Sequence, residues 1–86
     1  MHEMSMAMSV CRIAAERVGI EKLPCLVSVG LEVGMDSGIE LENLEFWLEV
    51  MLSEPPFAGA RTVIERSEGD VLLVTHLEID DGRVAN

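Results

Sequence analysis

Positive charge is scarce in this 86-residue chain: six Lys and Arg stand against 16 Asp and Glu, a formal net charge of -10. That balance argues against nucleic-acid binding, which draws much of its affinity from neutralising phosphates. It suits a protein that attracts cations or a basic partner surface, or one kept soluble by its charge. Cysteine is sparse too. Cys11 and Cys25 are too few for a disulfide scaffold, and they form no CxxC pair. In a cytoplasmic setting each reads as a reduced, partly buried small residue. No apolar run approaches a membrane span. Glu3, Ser5, Ser9, Arg12 and Glu16 interrupt the opening residues, which do not read as a signal peptide. A glycine-rich phosphate loop, a His-Glu-x-x-His pattern and a local nucleophile-base-acid set are all missing, so an enzyme has little support. There is no internal repeat and no low-complexity segment.

What is present is a sufficient core. Apolar residues make up 49% of the chain, too many for a disordered acidic tail. The length allows a single small domain. Met4, Met8, Cys11, Ala15 and Val18 recur at spacings of three and four, widened by Ala7 and Ala14, and predict a first helix that Gly19 can stop. After Pro24, the set Cys25, Val27, Val29, Leu31 and Val33 alternates with Leu26, Ser28, Gly30 and Glu32, as a strand with one buried face requires. A turn-rich break follows over residues 34–38. A second helix starting near Ile39 or Glu40 packs Leu41, Leu44, Trp47, Leu48 and Met51, turns Glu42, Glu45 and Glu49 to solvent, and ends before Pro55-Pro56. Phe46 and Val50 widen its apolar side toward a second surface.

Residues 60–65 read as a strand and residues 71–79 as the last one. In the latter, Leu72 and Val74 share one parity while Leu77 and Ile79 share the other. A bulge near Thr75-His76 would bring both pairs to the core face. The order helix-strand-helix-strand-strand predicts an α+β domain of two layers, with two helices on a three-stranded mixed sheet. The first two strands are expected to be parallel across a helical crossover. The short link Ser67-Glu68-Gly69-Asp70 is expected to join the last two as an antiparallel hairpin. Residues 81–86 read as a loose tail.

The chain opens Met1-His2-Glu3. A free amine, the backbone nitrogens of His2 and Glu3, and the His2 imidazole can surround one ion in a plane, which suits nickel(II) or copper(II). The bulky His2 favours retention of Met1. The Glu3 carboxylate is then free to tether neighbouring residues or a partner. The alternative is an ordinary frayed terminal histidine. His76, the other histidine, reads as a surface or bulge residue rather than a ligand. Asp36, Asp80 and Asp81 read as solvated acids.

Several segments together carry a resemblance. They are Met1-His2-Glu3-Met4-Ser5 with the helical pattern up to Arg17, then Leu31-Glu32-Val33-Gly34 and Ser37-Gly38-Ile39-Glu40. Leu44, Phe46 and Leu48 follow, then the run from Gly59 to Arg66, and Gly69 to Asp80. In this order the chain resembles the HypA/HybF family of hydrogenase nickel-incorporation proteins. That family has a zinc domain with paired CxxC motifs inserted between its middle and last strands. Here Arg66 and Val71 are separated only by the four-residue link. The chain thus resembles the nickel-binding half without the zinc half: a domain over residues 1–80 followed by the tail at 81–86.

The resemblance implies a cytoplasmic metallochaperone or accessory protein for nickel-iron hydrogenase maturation, not an enzyme. It implies transient nickel(II) at Met1, His2 and Glu3, and an acidic residue, Glu40, able to accept a hydrogen bond from the His2 ring. Helix capping is the alternative role for Glu40. It also implies an accessory GTPase and the immature hydrogenase large subunit as partners, with a possible connection to urease maturation. Without the insertion no structural zinc is expected. The alternative is a scaffold or protein-interaction adaptor that does not deliver nickel, using Phe46, Val50 and Leu73 as an interface. A monomer is favoured over a homodimer or a strand-swapped dimer.

Overall fold

The computed structural model describes residues 2–80; Met1 and the tail over residues 81–86 lie outside the described residues. Helix α1 (Glu3–Val18) comes first, followed by a 3-10 helix (Ile20–Cys25), strand β1 (Leu26–Gly34), helix α2 (Leu41–Leu52), strand β2 (Arg61–Ser67) and strand β3 (Leu72–Ile79). Two helices pack on a three-stranded mixed sheet, the α+β class expected. Gly19 stops α1 as anticipated. It takes a φ of 89°, and its N–H donates to the Ala15 carbonyl at 2.9 Å.

The buried face of α1 differs in phase from the predicted stripe. Ala7, Val10 and Ala14 are buried, while Met4 and Met8 are 44% and 56% exposed. Small side chains let α1 approach its neighbours closely, and helix separation is set by the side chains at the contact. The bulkier methionines are left at the margin. On α2, Leu44, Leu48 and Leu52 are buried, with Leu41, Trp47 and Met51 half-buried beside them. Phe46 and Val50 are exposed, on the second surface that their positions suggested.

β1 is the middle strand, and the order across the sheet is β2-β1-β3. β1 pairs parallel with β2 from Ser28↔Arg61 to Gly34↔Ser67, and antiparallel with β3. The expected β2–β3 hairpin is therefore wrong. The physical reason is the burial of β1 on both faces: Leu26, Val29, Leu31 and Val33 toward the helices, and Ser28, Gly30 and Gly34 away from them. An edge position would expose one side of this strand.

The link between β2 and β3 instead passes over the end of β1. Edge strands of a three-stranded sheet lie about 10 Å apart, and four residues can span about 13 Å. The end of β1 is bonded into this link. Gly34 N–H donates to Val71 O at 2.8 Å, Met35 N–H to Ser67 O at 2.8 Å, and Asp36 N–H to Gly69 O at 2.9 Å. A Cβ on Gly34 would stand 2.1 Å from the Gly69 carbonyl oxygen, so the crossing requires glycine.

The bulge in β3 is present. Gly30 pairs with His76 and Leu31 with Val74, which leaves Thr75 as the extra residue. Leu72, Val74 and Leu77 pack against the core, whereas Ile79 remains 39% exposed. A second register shift lies between Leu26 and Ser28. It brings Leu26 to the core and leaves Val27 half-buried and Cys25 in the 3-10 helix, against the alternation expected there. His76 lies over Gly30 on the face away from the helices, so close that a Cβ there would meet the ring. Beside it Ser28 Oγ donates to Glu78 Oε1 at 3.0 Å.

These contacts predict a difference between two glycines. Gly34→Ala should lower the unfolding free energy by about 1–3 kcal/mol, because backbone must move to admit the methyl. Gly30→Ala should cost less, because only the His76 ring must turn aside. Urea unfolding of both variants measures this, and equal costs would contradict the crossing geometry.

Candidate functional site

The start of α1 lies against the start of α2. His2 occupies the N-cap position of α1 with extended backbone (φ -99°, ψ 115°), and its side chain makes no capping bond. Its carbonyl accepts the Met6 N–H at 3.1 Å, while its side chain is exposed. Glu3 begins the helix. The N–H groups of a helix's first turn have no partner in the helical ladder. A metal that displaced the amide proton of Glu3 would thus break no ladder bond. Two amidates would also neutralise a divalent ion, so the positive end of the α1 dipole would not face an uncompensated cation.

The Glu3 side chain has a defined partner. Its Oε2 accepts the backbone N–H of Glu40 at 3.0 Å. Glu40 is the N-cap residue of α2. In a capping box, the third helical residue supplies a carboxylate to the N-cap N–H. Asn43 holds that position in α2, and Glu3 supplies the carboxylate from another segment. The tether foreseen for Glu3 is thus a contact within the domain. The Glu40 N–H, and after it Glu3's own N–H, hold the Glu3 carboxyl below its ordinary value of 4.5.

Ahead of Glu40, Ser37 Oγ donates to Gly34 O at 2.7 Å and accepts the Ile39 N–H at 3.3 Å. This turn carries the chain from the end of β1 to the N-cap of α2. Glu40 therefore lies beside the start of α1. The bond joining the two segments uses its backbone, and its exposed carboxylate makes no hydrogen bond to the His2 ring among the described residues.

The remaining candidates lie apart. His76 belongs to the opposite face of the sheet, where its Nδ1 is 3.3 Å from Thr75 Oγ1. Cys11 and Cys25 are half-buried and not disulfide-bonded, and burial pushes the Cys11 thiol up. Among the described residues, no three His, Cys, Asp or Glu side chains converge on a metal position. The terminal peptide remains the candidate, with Met1 outside the described residues. No helix among them is long and apolar enough to cross a membrane.

Comparison with known proteins adds an independent finding. A sequence model of the family described as "Hydrogenase/urease nickel incorporation, metallochaperone, hypA" matches residues 1–72, ending where β3 begins. The chain is 40% identical over 68 residues to the hydrogenase maturation factor HypA of Chlorobaculum parvum, covering 79% of this chain and 60% of that protein. It is 38% identical over 69 residues to the HypA of Geobacter metallireducens, covering 80% and 60%. With the HypA of Parabacteroides distasonis the identity is 30% over 70 residues, covering 81% and 61%. The chain thus spans about three-fifths of the length of the curated relatives it matches.

The Glu3–Glu40 contact has a pH signature. A depressed carboxyl contributes its full stabilisation above the ordinary value of 4.5 and loses it as pH falls through the lower folded value. The Glu40 amide resonance should titrate with a midpoint below 4.5, and Glu3→Gln should erase that step. A midpoint at or above the ordinary value would contradict the contact.

Proposed function

Because the chain belongs to the HypA family of hydrogenase and urease nickel-incorporation metallochaperones, we propose that it binds nickel(II) transiently at Met1, His2 and Glu3 and passes it to an immature nickel-iron hydrogenase large subunit. The observation that carries this reading is the start of α1. The His2 ring is exposed there, the Glu3 amide lies outside the helical ladder, and the Glu3 carboxylate fixes the segment to α2. An exposed terminal site held on one side suits acquisition and release better than storage.

Each group has a distinct task. The terminal amine and the His2 imidazole would hold the ion through two nitrogens, and the amides of His2 and Glu3 would supply two more, their protons passing to solvent. The amine must shed its own proton, so affinity rises through about pH 7–8. With nickel bound, the Glu40 carboxylate would turn to accept the second ring N–H of His2 and fix the orientation of the ring. The Glu3 carboxylate keeps the tripeptide beside Glu40. Copper(II) competes well for such a site, so selectivity rests on metal supply and on partners. An accessory GTPase is the partner proposed for the delivery step. The nickel-handling unit is residues 1–80, it works in the cytoplasm, and it holds no resident zinc.

Calorimetry on protein with its native start tests the site. His2→Ala should abolish saturable nickel binding at neutral pH and leave the fold intact, since the ring is exposed and caps nothing. Glu40→Gln should weaken binding by about tenfold or more. Retained tight binding in His2→Ala would move the site elsewhere and defeat the proposal. Small-angle scattering should give the mass of a monomer across a range of concentrations. A mass rising toward two chains would favour a homodimer instead.

A further inference from the structure

The two edges of the sheet are not alike. On β3 the Thr75 bulge breaks the ladder, and irregular edges resist pairing with another chain. β2 pairs with β1 without a break over its whole length, so its far edge is a regular row of backbone donors and acceptors. No strand covers that edge among the described residues. Beside it a cleft of about 380 Å³ opens between α2 and β2. Glu45 and Glu49 of α2 line one side, and Gly59, Ala60 and Thr62 line the other. Both glutamates are exposed, and neither has an ion-pair partner among the described residues. Arg61 also borders the cleft, but it pairs with Ser28 and shares the sheet face directed away from the helices.

We infer that the free edge of β2 accepts an extended segment of a partner protein carrying two basic residues at alternate positions. The backbone of that segment adds a fourth strand to the sheet. Its side chains on the helix-facing side enter the cleft beneath Glu45 and Glu49. The spacings agree. Alternate residues of a strand lie about 6.6 Å apart, and residues one helical turn apart have Cβ atoms about 5–6 Å apart. A basic-x-basic pattern therefore sets one cation opposite each carboxylate. The edge supplies affinity without regard to sequence, and the glutamate pair supplies selectivity. The excess of acidic residues, giving -10 overall, draws a basic segment in and repels an acidic one. Nothing in this docking uses the metal site, so its test is separate from that of nickel binding.

The probe is an acetylated and amidated peptide, Thr-Lys-Val-Lys-Val-Thr, titrated into the isotope-labelled full chain at low salt and followed by amide shifts. Saturable shifts are expected in β2 and in α2 around Glu45 and Glu49. The double variant E45Q/E49Q should bind at least tenfold more weakly. It should fold normally, because both side chains are exposed and unpaired. A peptide N-methylated on its inner residues keeps the charges but loses main-chain donors, and it should also bind at least tenfold more weakly. The inference is overturned if the peptide does not bind saturably, if its shifts fall on β3 or α1, if E45Q/E49Q binds as well as the parent, or if N-methylation has no effect.

Discussion

Burial of β1 on both of its faces is the constraint from which the rest of the arrangement follows. Toward the helices its leucine and valine side chains meet Ala7, Val10 and Ala14 of α1 and Leu44, Leu48 and Leu52 of α2 in one apolar cluster. On the other face, small residues take the place of a third layer. Gly30 lies beneath the His76 ring, Ser28 is tied to Glu78, and Gly34 admits the link between β2 and β3. A small domain has little apolar material with which to cover a sheet twice. Here side chains of the neighbouring strand do the covering, and both edge strands are needed.

The same centre determines where the segment proposed to bind metal sits. The end of β1 leads through the Ser37 turn to Glu40, and Glu40 receives Glu3. The terminal peptide, the N-cap of α2 and the end of the middle strand thus form one connected region. Most of its hydrogen bonds involve backbone groups. Side-chain identity matters at Glu3 and Ser37, and glycine is required where two backbones cross at Gly34.

Much of this was legible from residue order because it is local. Helical periods placed α1 and α2, alternation placed β1, and the parity change between Val74 and Leu77 revealed the bulge. The phase of α1 was not legible, because alanine and methionine are both apolar and the choice between their stripes depends on how closely a neighbour approaches. Strand order escaped for a similar reason. A four-residue link between two strand patterns reads as a hairpin unless the strand preceding both is known to be buried on two sides. Gly30 and Gly34 carried that signal, since glycine within a strand often marks close approach. At the site, His2 and Glu3 stood out by type and position. The Glu3–Glu40 bond joins residues 37 positions apart, so only the folded chain could show which of the two glutamates contributes its carboxylate and which its backbone.

The link over residues 68–71 has a mechanical consequence. It lies where the family resemblance leads one to expect an inserted domain, and its two ends belong to strands on opposite sides of β1 rather than to adjacent strands. Anything spliced in at this position would stand on two stalks separated by the width of a strand, which is a footing that resists swivelling. The loop between those stalks is hydrogen-bonded to the residues that lead into the Ser37 turn and on to the N-cap of α2. A torque applied at such a mount would be carried by backbone bonds toward the terminal peptide, giving an insertion a lever on the segment proposed to hold the metal without touching it.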